Sequence, residues 1–124
     1  MRAVQMGETG STLSKFEITA SHANNRATVF VRGQLDPRTA PHLDTCLRQL
    51  LAAGCGRIVI DLGAVNLLRA SGFEVLFHVA KRSQRDGTEV ILRAPSLSTR
   101  RLLQITGLIT AFAVEPATTQ LPAA

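Results

Sequence analysis

Two hydrophobic periods alternate along this chain, one near 2 and one near 3.6, and their order leaves few folds open. Lys15-Phe16-Glu17-Ile18-Thr19 alternates polar and apolar residues, as a half-buried strand does. His22-Ala23-Asn24-Asn25 supplies turn residues, and the run from Arg26 to Arg32 is β-branched and aromatic, so the two segments predict a hairpin whose second strand ends at Gly33. The period then changes. Ala40, Leu43, Cys46, Leu47, Leu50 and Leu51 recur at helical spacing, with Asp44, Arg48 and Gln49 on other faces. Thr39 stands at the N-cap, Pro41 falls early enough in the helix to be tolerated, and Gly54 and Gly56 end it. Arg57-Ile58-Val59-Ile60-Asp61-Leu62 is a short continuous apolar run, the mark of a central strand covered on both faces. After a loop, residues 71–85 read as a helix and residues 88–93 as a strand following the Asp86-Gly87 turn. A helix over about 97–106 carries Leu97, Arg101, Leu102 and Ile105 and stops at Gly107; Phe112-Ala113-Val114 supplies a last edge strand.

The order β-β-α-β-α-β-α-β predicts an α/β domain with a mixed, largely parallel sheet, an opening β-hairpin and helices packed against it. At 124 residues the chain fits one domain. Residues 1–13, polar and Gly-rich, read as a flexible leader; residues 14–115 as the domain; and residues 116–124, with Pro116 and Pro122, as a loose tail.

Several function classes fall away at this stage. No stretch approaches the ~20 apolar residues a membrane span needs, so no membrane insertion is expected. Residues 1–15 lack an apolar core, which argues against a secretory signal, and two cysteines make no disulfide framework. Cys46 on a helix face and Cys55 in a Gly-Cys-Gly turn read as reduced thiols of a cytoplasmic protein, with no His or Cys cluster for zinc. The net charge is +5, but the basic residues are scattered and no aromatics interleave with them, so direct nucleic-acid binding is not expected. The tightest group, Lys81, Arg82 and Arg85, lies at the end of a helix, where positive charge suits the macrodipole. Phosphate loops and the G-x-S-x-G elbow are absent, and His22, His42 and His78 stand far apart in the chain. The reading is a non-enzymatic binding module without a cofactor, monomeric when free.

The segment Arg69-Ala70-Ser71-Gly72-Phe73-Glu74 lies between a buried strand and a helix, where α/β sheets tend to place ligand and partner sites. Ser71 and Glu74 have the spacing of a capping box, which makes Ser71 a helix cap with the hydroxyl accepting from a first-turn N–H. The same helix N-terminus would also tolerate a phosphate on Ser71, with Arg69 as its pair and Glu74 opposing it. Val75, Leu76, Val79 and Ala80 form the apolar face of this helix, Phe73 lies at its margin, and Phe77 lies further round beside Glu74, Lys81 and Arg85. Phe77 is either half core or an anchor for a partner. Asp36 is expected to turn the chain before the first helix, and Asp61 to satisfy loop N–H groups.

Gly33-Gln34-Leu35-Asp36 followed by Thr39-Ala40-Pro41 and Leu43 resembles the second strand and first helix of STAS domains, named for sulfate transporters and anti-sigma factor antagonists. Val59-Ile60-Asp61-Leu62-Gly63-Ala64-Val65 resembles their central strand and loop. Ser71-Gly72 stands where the family carries its regulatory serine and glycine. Leu102 to Leu108, with Phe112 and Val114, resembles the closing helix and strand. The resemblance runs from about residue 15 to residue 115.

What the resemblance implies is partner switching in bacterial transcription regulation, as in stress responses. The unmodified protein binds an anti-sigma factor that is also a serine kinase, and phosphorylation of the serine, here Ser71, breaks the complex. Asp36, Arg38, Thr39, Arg69, Ala70, Gly72, Phe73, Glu74 and Phe77 are the implied partner-binding residues. The chain departs from the family at two positions. Where an acidic residue and a Ser or Thr usually precede the serine, this chain has Arg69 and Ala70, which reverses the field at the hydroxyl. That departure favours an alternative, a non-switching STAS subunit of a larger assembly such as a lipid-transport ATPase complex. A further alternative is a module that senses a small ligand beside Ser71.

Overall fold

The computed structural model describes residues 2–6 and 16–117. Glu17–Ala23 and Arg26–Leu35 form the predicted hairpin, joined by Asn24 and Asn25 at φ 53° and 67°. Two consecutive left-handed residues match the twist of the paired strands, and asparagine tolerates that conformation. The Asn25 side chain and main chain both accept from the Gly56 N–H, each at 2.9 Å. A Cβ at Gly56 would lie 2.5 Å from Asn25 Nδ2, so any larger residue would push the Asn25 side chain from its place.

The elements in chain order are β1 (Arg2–Met6), β2 (Glu17–Ala23), β3 (Arg26–Leu35), α1 (Ala40–Ala52), β4 (Arg57–Leu68), α2 (Ala70–Asp86), β5 (Glu89–Arg93), α3 (Leu97–Thr106) and β6 (Ala113–Glu115), with a 3-10 turn at Leu108–Ala111 before the last strand. They make one six-stranded sheet in the order β1-β2-β3-β4-β5-β6, antiparallel across the first three strands and parallel thereafter. This is the expected single α/β domain with a mixed sheet. The order runs from β3 to β6 without reversal, so right-handed crossovers place all three helices on one face. Burial follows that rule. On the helix-covered face Ile18, Val29, Val31, Ile58, Ile60, Val90 and Leu92 are buried. On the other face stand Thr19, Thr28, Asp61 and Arg93, with Phe30 exposed.

Three expectations need correction. Arg2–Met6, read as part of a flexible leader, pairs antiparallel with β2 from Arg2↔His22 to Met6↔Ile18. Five residues are too few for periodicity to register, whereas the outer edge of β2 offers unpaired backbone groups to any strand that reaches it. The rest of the leader, residues 7–13, and the tail from 118 lie outside the described residues. Gly33 does not end β3: at φ 103° it sits in a bulge, and the strand runs on to Leu35. Nor does β4 stop at Leu62. It continues as β3's parallel neighbour to Leu68, through register shifts between Phe30 and Arg32 and between Gly33 and Gln34. The stretch expected to be a loop is a strand whose alternation those shifts disguise.

The helical faces match expectation. In α1 the buried residues are Ala40, Leu43, Cys46, Leu47, Leu50 and Leu51, and in α2 they include Val75, Leu76, Val79 and Ala80. Both pack on the covered face of the sheet. In contrast, α3 buries only Thr99 and Leu103.

Candidate functional site

The pairing of β3 with β4 builds the site. Leu35 and Leu68, the last residues of the two strands, lie side by side, so Asp36 and Arg69 leave the sheet as neighbours. The Arg69 N–H donates to the Leu35 carbonyl at 2.9 Å, which ties the start of α2 to the end of β3. Asp36, Pro37, Arg38, Arg69, Ala70 and Ser71 then line one shallow, open depression at the carboxyl ends of the strands.

One wall of this depression is saturated with hydrogen bonds. Asp36 Oδ1 accepts from the N–H groups of Arg38 (2.9 Å) and Thr39 (3.1 Å). Partial burial alone would raise the Asp36 pKa. The two N–H bonds, the Thr39 hydroxyl and the Arg38 charge outweigh it and hold the carboxyl below its ordinary value. Thr39 occupies the N-cap position of α1, yet its hydroxyl does not cap the helix. It donates to the Gln34 carbonyl at 2.7 Å and accepts from the Asp36 N–H at 2.9 Å. The β3–α1 turn is therefore fixed from both ends.

The other wall is different. The sequence spacing predicts Ser71 as N-cap of α2 in a box with Glu74. Instead Arg69 is the cap position, with extended backbone at φ −94° and ψ 178°, and Ser71 is the second residue inside the helix. The Arg69 carbonyl takes the Gly72 and Phe73 N–H groups at 2.9 and 3.1 Å, and the capping box does not form. Ser71 Oγ is enclosed and has no hydrogen-bond partner. Buried polar atoms are rarely left so, and each exception asks for a reason.

Gly72 supplies the close approach. A Cβ there would meet Leu35 Cβ at 2.8 Å and Leu68 Cγ at 3.3 Å. The glycine thus seats the first turn of α2 directly on the strand ends, and this seating, not the local motif, decides where the helix begins. Two of the residues implied as partner contacts, Thr39 and Gly72, are buried and shape the site from beneath. Phe73 is half-buried against the core. Arg38, Arg69, Ala70, Glu74 and Phe77 are exposed, and Asp36 is partly so. Phe77 is 42% exposed, not core, with Lys81 Nζ 5.2 Å from its ring centroid. At the depression the two positive charges of Arg38 and Arg69 and the helix N-terminus face the single negative charge of Asp36, so positive charge is in excess.

Elsewhere, Asp61 accepts from the Gly63 N–H at 2.9 Å and pairs with Arg93 at 3.6 Å; it was expected to satisfy loop N–H groups, but the N–H it takes lies within β4. Sequence reading missed the contact of Cys55 Sγ with His22 Nε2 at 3.2 Å, made between residues 33 apart. Burial raises both thiols, Cys46 to about 11, so neither is an activated nucleophile. Among the described residues no cluster of metal-ligating side chains occurs, and no helix is long and apolar enough to cross a membrane.

Known proteins share this overall fold. The STAS domain model matches residues 17–120, and the chain belongs to that family. A solved anti-sigma factor antagonist from Mycobacterium paratuberculosis is 28% identical, with TM-score 0.70, over 87% of this chain and 92% of that one. The Bacillus cell fate determinant SpoIIAA in its phosphorylated form is 15% identical, with TM-score 0.70, over 82% of this chain and 92% of that one. A STAS-domain anti-sigma factor antagonist from Planctomyces limnophilus is 17% identical, with TM-score 0.65, over 82% and 90%. For the last two the likeness is one of fold.

Proposed function

We propose that this protein is an anti-sigma factor antagonist that binds an anti-sigma factor with serine kinase activity and is switched by phosphate on Ser71. The observation that carries the reading is the Ser71 hydroxyl itself, which is enclosed at the rim of the depression but bonded to nothing. No hydrogen bond to the protein holds this hydroxyl, so none is broken when it is presented to a kinase. A phosphate there would meet Arg69, Arg38 and the positive end of α2, and would add up to about two negative charges to the surface a partner covers. The 28% identity to a solved antagonist supports the same role. Direct contacts would come from Asp36, Arg38, Arg69, Ala70, Glu74 and Phe77, with Phe73 at the margin and Thr39 and Gly72 as supports. No chemistry of its own is required of the protein.

A second reading, a non-switching subunit of a larger assembly such as a transport ATPase, is favoured by one observation. Ser71 Oγ exposes less than 1 Å², and a cation, Arg69, stands two residues before it. Affinity purification of the tagged protein from its own host, with mass spectrometry of bait and prey, separates the two. The proposal expects an ATP-binding anti-sigma kinase in the eluate and a fraction of the bait phosphorylated at Ser71. A transport ATPase in the eluate with Ser71 always unmodified would replace it with the second reading.

A further inference from the structure

Helix α3 has its apolar residues on the wrong side for a buried helix. Leu97 is 69% exposed, Ile105 80% and Leu102 44%, while only Thr99 and Leu103 are buried. Leu97, Arg101 and Ile105 follow one another at i, i+4 and i+8, and Leu102 and Ile105 at i, i+3, so they share one outward face. Beside that face runs a groove between β4 and α3, lined by the apolar Leu62, Val65, Leu67, Leu68 and Leu102 and by the polar side chains of Asn66, Ser96, Ser98 and Thr99. Leu67 on its rim is 41% exposed. Singly exposed apolar residues are ordinary; three on one short helix, beside a groove of mixed apolar and polar lining with Leu67 exposed on its rim, mark an interaction site.

The charge on this face selects the occupant. From Ala94 to Val114 the chain carries Arg100 and Arg101 and no Asp or Glu. Among the described residues neither arginine pairs with a carboxylate. We propose that the outer face of α3 and the groove beside it dock an amphipathic helix of a partner protein. That helix would present aliphatic residues at i, i+3 or i+4 and i+7, flanked by Asp or Glu to meet Arg100 and Arg101. A second copy of this chain fits poorly, because a two-fold contact through this face would set the arginines of one copy against those of the other with no carboxylate between them. The chain's own segment from 118 to 124, Thr-Thr-Gln-Leu-Pro-Ala-Ala, offers neither acid nor helix-forming sequence. A lipid surface is flat and has no side chain to seat in the groove. The groove and the Ser71 depression have no lining residue in common, although Leu68 of the groove also packs beneath Gly72, and the proposal expects the occupant to stay bound when the serine is modified.

The test uses the full chain and a displayed library of helical peptides with leucines fixed at i, i+4 and i+7 and flanking positions randomised between Glu and Lys. Wild-type protein is expected to enrich Glu-flanked peptides. The selected peptide should bind at least tenfold more weakly to Ile105→Ser and to Arg100→Glu/Arg101→Glu, and unchanged to Ser71→Asp. The Ile105 and Arg100/Arg101 variants change exposed side chains, and the melting temperatures of all three report whether the fold is kept. Enrichment of Lys-flanked peptides, or no enrichment above Ile105→Ser, would overturn the proposal. So would binding to phosphatidylglycerol vesicles with no peptide selected, which would make the face a lipid contact, or a concentration-dependent dimer that Ile105→Ser abolishes.

Discussion

Ser96 and Ser71 both stand at the start of a helix, and the structure uses them in opposite ways. Ser96 is the N-cap of α3, and its Oγ accepts the Thr99 N–H at 3.1 Å. Ser71 lies two residues past the cap of α2, and its hydroxyl is bonded to nothing. The difference lies in what sets each helix start. At α3 the local sequence decides, and the serine falls where the free N–H groups are. At α2 the seat on β3 decides, through the Arg69 N–H to the Leu35 carbonyl and the Gly72 contact, and the serine is carried past the place where it could cap. One serine holds structure; the other is left spare beside a positive depression.

The comparison can be broken first at its cause. Gly72→Val puts methyl groups where a Cβ alone would already meet Leu35 Cβ at 2.8 Å. Overpacking of this kind should cost about 2–3 kcal/mol or more, read as a lower urea midpoint with unchanged slope. A loss under about 0.5 kcal/mol would mean that α2 is not seated as described. Next comes the saturated wall. Thr39→Val keeps the shape but strips the hydroxyl that bonds Gln34 O and Asp36 N, and it should cost about 1–3 kcal/mol.

The two serines themselves sharpen the contrast. Ser96→Ala should lose about 0.5–2 kcal/mol, as N-cap removals do. Ser71→Ala should stay within about 0.5 kcal/mol of wild type, since no bond is lost. Equal losses at both sites would contradict the account. The smallest expected effect is in acid. The folded pKa of Asp36 lies below its unfolded value, so the stability it adds is fully present above the unfolded pKa and fades as pH falls through the folded one. In Asp36→Asn that part of the acid slope, below about pH 4, should be missing from melting temperatures measured against pH.

Much of this was legible in the residues, and the rest was hidden for a common reason. Helical faces are periodic and local, so the buried residues of α1 could be named from spacing alone, and the Asn24-Asn25 turn from its composition. The failures arose where a distant contact overrode a local rule. Gly33 stops a strand by rule, but the parallel neighbour β4 carries β3 through it as a bulge. Ser71 and Glu74 spell a capping box, but a bond to Leu35, 34 positions before Arg69, moves the cap. The depression joining Asp36 to Arg69 exists only because Leu35 and Leu68 share a register, which no window of sequence contains. The exposed leucines of α3 were visible as a helix, though which side faces the sheet is decided by packing.

The most direct test is to prepare the protein with phosphoserine at position 71 and compare it with the unmodified form in two measurements, thermal melting and binding to the anti-sigma factor proposed as its partner. The melting temperature should equal or slightly exceed that of the unmodified protein, because a phosphate there would stand at a helix N-terminus in the depression that Arg38 and Arg69 line. Affinity for the partner should be at least tenfold weaker. A phosphorylated protein that melts well below the unmodified one, or that binds its partner as tightly, would show that Ser71 is part of the structure and not the switch.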